Sequence, residues 1–472
     1  MMFSACSRWH LRGSLLGFFG ILGGLGFTIA LVLWYAVNSD RDYYHHPILT
    51  QLLPAGHCAC RTTTVFECSS CLACSSHDRR PCLSSPSPAP IAADPWEFEY
   101  TRDGNNAGLS RRQCSAAFPG LFEDIIRARS YWTTQGGLSS ADLDAIPFPP
   151  GMARARIARG ELYVLRARAR GEDHRRKIVA ALSAMHRALV ADPDRVVRPD
   201  IEFVFSVEDK VEDIMRTPPE QPVWVLARAG DEEAVWLIPD FGYWAWDQVG
   251  NEIGPYDQVV DQAIEYDRIP WSAKQRQLVW RGKPSFAPKL RRALMDATRD
   301  QTWADVQPVD WNDRSNVLSM EDHCKYMFIA HVEGRSYSAS LKYRQACRSV
   351  IVAHRLQYIQ HHHYLLISSG PHQNFVQVER DFSDLAEQLE PLLNDDPRAE
   401  LIASNSVRTF RERYLTAAAE ACYWRSLWDG YGAVWNGTEG GSSRRGLRFE
   451  SFLLQGSEEM VDFRSGDFSR GP

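Results

Sequence analysis

The chain lacks a basic excess, an internal repeat and any series of membrane-length apolar runs. Lys and Arg number 53 against 59 Asp and Glu, giving a formal net charge of −6. Binding nucleic acid through its phosphates needs a basic face, which this balance does not supply. Hydrophobic residues make up 44% and charged residues 24%, which excludes a wholly disordered chain, a collagen-like fibre and a multi-span membrane protein. What is present in quantity is cysteine and tryptophan, 11 and 15 in 472 residues. At about 150 residues per domain, the length corresponds to about three units.

One uncharged, mostly apolar run extends from Gly13 to Val37. It is long enough to span a hydrocarbon core of about 30 Å, and longer than the apolar part of a cleavable signal peptide. Arg8 and Arg12 precede it without an acid, whereas Asp40, Arg41 and Asp42 follow. The positive-inside rule then predicts a cytosolic tail (1–12), a signal-anchor (13–37) and a lumenal remainder. Cys6 alone is cytosolic in this topology, and the other ten cysteines face an oxidising compartment. Cys58, Cys60, Cys68, Cys71, Cys74 and Cys82 cluster in a Cys-, Pro- and Ser-rich stalk (38–95). Their spacing admits either zinc or irregular disulfides, and the compartment favours disulfides. Asn436-Gly437-Thr438 is a sequon for N-glycosylation.

From Trp96 onward, helical and extended patterns alternate. His174 to Val190 places Ile178, Leu182, Met185 and Leu189 on one helical face. Strands are expected at Ile201–Val207, Val223–Ala227, Ala234–Ile238, Leu278–Trp280, Tyr326–Val332, Ser349–Ala353 and Asn374–Glu379. Helices are expected at Pro288–Arg299, at Ser338–Ala346, from Ser383, and from Pro397 nearly to Tyr431. This alternation implies parallel sheets covered by helices, in two Rossmann-like halves with a cleft between them. The boundary is expected near Pro270, giving domains at 96–270 and 271–435 and a disordered tail at 436–472.

Ligands of open parallel sheets bind beyond the carboxyl ends of the strands. Three such places carry suitable chemistry. Val207-Glu208-Asp209 ends a strand with acids that could serve as a general base if they reach the reacting hydroxyl, although spacing alone favours a solvated turn or a helix cap, since acids at strand ends are common. Trp280-Arg281-Gly282-Lys283 offers cations and a glycine that lets backbone approach a diphosphate. It lacks the upstream glycine and following hydroxyl of a Walker loop. Gly334-Arg335-Ser336-Tyr337-Ser338 offers hydroxyls and helix-terminal amides, with Lys342 one turn on; Ser336 and Ser338 also suit a plain N-cap. Tyr243 and Trp244, within an aromatic run, suit stacking on a sugar or burial in a core. Asp142-Leu143-Asp144 and Asp192-Pro193-Asp194 imitate metal-binding DxD motifs but read as turns, and His361-His362-His363 reads as an incidental exposed run.

Taken in order, several of these segments resemble one family. They are Arg281-Gly282 after an aromatic, Glu321-Asp322-His323-Cys324-Lys325-Tyr326 leading into the Gly334 loop, Asp381-Phe382-Ser383-Asp384-Leu385, and Cys422-Tyr423-Trp424. Together they resemble the capsule-associated glycosyltransferases of family 90, which include protein O-glucosyltransferases and fungal xylosyltransferases. Pro239-Asp240-Phe241-Gly242-Tyr243-Trp244 and Val376-x-Val378-Glu379-Arg380-Asp381 are most similar to fungal members. The resemblance implies a GT-B fold and inverting transfer of xylose or glucose from a UDP-sugar to a glycan or protein hydroxyl, without a required metal or other cofactor. It places Asp209 at the general base. Arg281, Gly282 and Lys283, together with Gly334, Ser336, Ser338, Ser340 and Lys342, fall on the donor side. It also implies disulfides Cys324–Cys347 and Cys114–Cys422, and a Golgi or secretory-pathway membrane as the location.

One departure accompanies the resemblance. The family reads Ser-x-Arg where this chain has Ser338-Ala339-Ser340, so Ser340 stands where an arginine helps hold the donor diphosphate. Arg335, Lys342 and Arg344 are the nearby cations that would replace it. The departure keeps open a second reading, a catalytically impaired UDP-sugar-binding or scaffold protein of the same fold. A third reading, a metal-binding stalk protein, rests only on the Cys58 to Cys82 cluster.

Overall fold

A computed structural model describes residues 96–210, 221–248, 251–309, 314–437 and 446–454. These fall in one unit that begins at Trp96. The anchor expected at 13–37, the stalk cysteines and most of the tail lie outside the described residues. Among the described residues, no helix is long and apolar enough to cross a membrane.

The first sheet has six strands, of which five are β1 (Met152–Ala158), β2 (Glu161–Arg168), β3 (Ile201–Ser206), β4 (Val223–Val225) and β5 (Trp236–Leu237). Their order is β2-β1-β3-β4-β5. β3, β4 and β5 run parallel, as expected. β1 is antiparallel to both β2 and β3, so the sheet is mixed. The β1–β2 hairpin turns on Arg159 and Gly160, both at positive φ (53° and 72°), which suits the twist of a two-residue hairpin. It is not evident in the sequence because Met-Ala-Arg-Ala-Arg-Ile-Ala is rich in good helix formers. Helix α1 (Glu172–Val190) covers this sheet and buries Ile178, Leu182, Met185 and Leu189.

The second sheet contains β6 (Gln275–Gly282), β7 (Ala304–Pro308), β8 (Tyr326–His331), β9 (Val350–His354) and β10 (Val376–Val378). All five are parallel, in the order β7-β6-β8-β9-β10. Alternate residues face opposite layers. Leu278, Trp280, Phe328, Ala330, Val350 and Val352 pack with α3 (Pro288–Ala297), α5 (Leu385–Leu393) and α6 (Asp396–Thr409). Val279, Ile329, Ile351 and Ala353 pack with α2 (Tyr256–Tyr266) and α4 (Leu341–Gln345). The connections from β6 and β8 diverge in opposite directions, which opens a crevice between the carboxyl ends of those two strands. The helix expected from Ser338 shortens to α4. The Ser338 and Ser340 hydroxyls bond each other at 2.9 Å, and such local side-chain bonds compete with helix formation.

The chain then returns to the first sheet. Helix α7 (Ala417–Gly432), expected to close the second domain, buries Trp424, Trp428 and Tyr431 against Phe203, Trp224 and Trp236. Tyr431 meets Trp224 and Trp236 edge-on at 5.3 and 5.2 Å. Fully burying such a ring is worth about 1.5–3 kcal/mol, so much of the tryptophan content is core. The disulfide Cys114–Cys422 ties α7 to the start of the unit, and Cys324–Cys347 joins the approach to β8 with the segment between α4 and β9. The expected disordered tail is ordered at its middle. Leu447–Arg448 forms β11 beside β2, and Phe449–Leu453 forms a helix that buries Phe449 and Phe452. Two aromatics suffice to dock a segment whose average composition is that of a linker.

Candidate active site

β3 is buried along its whole length and delivers Val207-Glu208-Asp209 to the strand end. The two acids are treated differently there. The Glu208 carboxylate lies 3.0 Å from His174 Nε2 on α1, and its backbone N–H donates to Ser206 Oγ at 3.1 Å. Asp209 is exposed, and its backbone carbonyl accepts a hydrogen bond from Ser336 Oγ. Asp209 and Ser336 come from different sheets and are 127 positions apart, so this bond joins the expected base loop to the expected donor loop.

The donor-side residues divide by what already holds them. Arg281 donates through Nη2 to both carboxylate oxygens of Asp305, at 2.9 Å each. It also donates to the carbonyls of Asn316, Asp305 and Trp280. This guanidinium braces β6 against β7. Gly282 cannot carry a side chain, because a Cβ would stand 2.5 Å from the Trp280 ring. Lys283 is exposed beside Phe286. Gly334 begins a tight loop, its N–H donating to the carbonyls of Ser336 (3.1 Å) and Tyr337 (3.4 Å). Ser336 and Ser340 are buried, and Ser338 is half-buried.

Lys342 is 1% exposed and pairs with Asp240 at 2.6 Å. It also donates to the Ala339 carbonyl at 3.1 Å and lies 4.5 Å from the Tyr343 ring centroid. Burial lowers its pKa, and the Asp240 charge opposes that shift. Asp240 further accepts from the Gly242 N–H (2.8 Å) and from Gln360 (3.4 Å). A Cβ on Gly242 would stand 2.7 Å from Lys342 Nζ. This Lys342 joint connects the segment after β5 with α4. Tyr243 packs beside it, buried against Tyr256 and His361, so it is a core ring and not an open platform. Trp244 is exposed, with the Arg187 guanidinium 5.1 Å from its ring centroid.

Other motifs resolve into structural roles. Asp142 caps its helix by accepting from the Ser139 N–H (2.7 Å) and hydroxyl (2.6 Å). Asp192 pairs with Arg198 in the interior. The histidine run, expected to be exposed, is largely buried. His361 meets Tyr423 at 4.8 Å, and burial lowers its pKa to about 3 and that of His363 to about 4. These rings are neutral fillers of an apolar interior. Among the described residues, no group of three or more His, Cys, Asp or Glu is arranged to hold a metal. Asn436 is exposed at the end of a described segment, its amide donating to the Gly136 carbonyl at 2.9 Å.

Several residues of the crevice are not among the expected site residues. Glu333, just beyond β8, is 1% exposed. Its carboxylate accepts from the N–H groups of Gln357 (2.9 Å) and Tyr358 (2.8 Å) and from Arg380 (2.8 Å). Arg380, Asp381 and Ser383 face Lys289, Leu290 and Ala293 of α3 across a groove of about 640 Å³. That volume lies within the usual range for small-molecule sites. Arg380, Asp381 and Ser383 fall in segments that carry the family resemblance, whereas Glu333, Lys289, Leu290 and Ala293 stand in ordinary amphipathic or loop stretches, so only the fold brings them together.

The profile of glycosyl transferase family 90 matches residues 111–437. Protein O-glucosyltransferase 1 of Homo sapiens is 25% identical over 239 residues, covering 48% of this chain and 56% of that protein. The O-glucosyltransferase rumi homolog of Aedes aegypti is 23% identical over 315 residues, covering 62% of this chain and 76% of its own length. The O-glucosyltransferase LpsA of Dichelobacter nodosus is 27% identical over 128 residues, or 26% of this chain and 39% of that protein. The chain thus spans about half the length of the human relative. With the profile covering most of the two-sheet unit, the chain belongs to glycosyl transferase family 90.

Proposed function

We propose that this glycosyltransferase carries out inverting transfer of glucose or xylose from a UDP-sugar to a hydroxyl of a glycan or protein. In this reading Gly13–Val37 anchors it in a secretory-pathway membrane, with the catalytic unit in the lumen and Asn436 open to glycosylation. The observation that carries the reading is the Ser336–Asp209 bond, which sets an exposed strand-end carboxylate beside the donor loop. The Asp209 carboxylate removes the acceptor hydroxyl proton. The acceptor oxygen bonds to the anomeric carbon as the carbon–phosphate-oxygen bond breaks, and UDP leaves with that electron pair. The uridine occupies the groove between α3 and Arg380–Ser383. Cations of the crevice stabilise the departing charge where other enzymes use a metal.

Incubating the full-length chain with UDP-glucose and UDP-xylose tests this. Sugar release or transfer that persists in EDTA is expected; absence of both across donors and a broad acceptor panel contradicts it. The second reading, an impaired UDP-sugar-binding protein, draws on Ser340, whose hydroxyl faces Ser338 where the family has a cation. It predicts UDP binding without turnover, and activity gained by Ser340→Arg.

A further inference from the structure

Two arginines in the crevice are buried without an acidic partner. Arg291 on α3 is 6% exposed and Arg344 on α4 is 5% exposed. Arg291 donates through Nη1 to the Lys283 carbonyl (2.6 Å) and through Nε to the Glu333 carbonyl (3.2 Å). Its Nη2 has no hydrogen-bond partner among the described residues and lies 3.4 Å from the position of a Cβ on Gly334. Arg344 donates through Nη1 to the Ala330 carbonyl (2.9 Å) and contacts His331 Nδ1 (3.4 Å). Its Nε is buried with no partner. No carboxylate pairs with either guanidinium among the described residues; the nearby Glu333 carboxylate is held by Arg380 and two backbone amides.

Burying an uncompensated charge is costly, and these two charges also repel. Burial lowers Arg291 to about 10, and burial followed by repulsion from Arg291 lowers Arg344 to about 9, so both remain cationic at neutral pH. Their location is the switch point between β6 and β8, where Lys283 follows one strand, Ala330 and His331 end the other, and Gly334 lies just beyond it. Two other cations of this region are committed, Arg281 to Asp305 and Lys342 to Asp240, whereas Lys283 and Arg335 are exposed and not buried as Arg291 and Arg344 are. Arg344 stands one helical turn beyond Ser340. A helical side chain leans over the turn that precedes it, so a guanidinium from position 344 is directed back toward position 340.

We propose that Arg291 and Arg344 together form the diphosphate receptor of this chain, with Arg344 supplying from one turn away the charge that Ser340 does not. The inference rests on the UDP-sugar reading above and assigns its phosphate contacts to two residues outside the family motif. The anion completes the neutralisation that the protein leaves unfinished, and each guanidinium offers it at least one unused N–H.

The test is calorimetric titration of the full-length chain with UDP and with uridine. Arg291→Met and Arg344→Met should each weaken UDP about 10- to 100-fold, as expected for hydrogen bonds to a charged group. Uridine affinity should be unchanged. The unliganded Arg344→Met protein should unfold no earlier than wild type, because it has lost an unpaired buried charge. Adding Ser340→Arg to Arg344→Met should recover UDP affinity, which a purely structural role for Arg344 does not predict. If wild type binds UDP and both variants bind it equally well, or if uridine weakens in parallel, the assignment is overturned while the UDP-sugar reading stands. A wild-type chain that binds neither ligand overturns both.

Discussion

Buried cations a few residues apart are handled in opposite ways. At the Lys342 joint, an ammonium 1% exposed meets a carboxylate at 2.6 Å, and the remaining acceptors of that carboxylate are filled by Gly242 and Gln360. In the crevice, Arg291 and Arg344 have only carbonyls and a histidine for company. A matched pair, once buried, gains nothing from a ligand and serves to hold elements together. An unmatched pair destabilises the empty protein and is relieved by an anion. Burial alone therefore does not separate structural from functional charge; the presence or absence of the partner does.

Under the proposed function, this contrast makes the crevice the place of catalysis and the joint a source of stability, and a variant that moves the wrong quantity breaks it. The largest expected effect is at Asp209. Asp209→Asn should lower turnover about 10²- to 10⁴-fold, the usual contribution of a general base, with UDP affinity and the denaturant midpoint unchanged. A loss of stability in its place would make Asp209 a loop residue. Next in size is the joint. Asp240→Asn should cost about 3–5 kcal/mol in chemical denaturation, because it strands the Lys342 charge. The double replacement Asp240→Asn with Lys342→Met should recover part of that loss. UDP affinity falling as far in the double variant as stability falls in the single one would move Lys342 back to the donor site.

The smallest effect separates a third way of handling burial, which is to give up the charge. Burial lowers His361 to about 3, and His323 and His363 to about 4, below the ordinary imidazole value. The unfolded chain therefore takes up these protons first. Stability from these rings is full above about pH 6.5 and is lost as pH falls toward 4, by about 1–2 kcal/mol per ring between pH 7 and 5. Denaturant midpoints measured across that interval should show the decline, and His361→Phe should flatten it. A pH-independent midpoint would mean that these rings ionise in place.

The parallel sheet was legible because its strands are short, fully buried apolar runs: Tyr326–His331 and Val350–His354 are continuous hydrophobic signals with a helix between. The Asp209 and Gly334 loops were legible as strand ends, and the contact between them follows only from how the two sheets dock. The β1–β2 hairpin was not legible because its alanines and arginines favour helix. The role of Lys342 was hidden because its partner is 102 positions away. Nothing in the sequence singles out Arg291, and Arg344 stands there only as one of three cations near Ser340; what distinguishes the two is a missing carboxylate. The histidine run reads as exposed because its polar type outweighs its apolar neighbours, whereas the fold largely buries it.

The stereochemistry of sugar release separates an inverting transferase from every other outcome. Proton NMR of UDP-α-glucose and UDP-α-xylose incubated with the full-length chain resolves the anomer formed before mutarotation. Inversion guided by Asp209 predicts that the β-anomer appears first and that Asp209→Asn abolishes it. An α-anomer appearing first, or no release from either donor, would contradict the account.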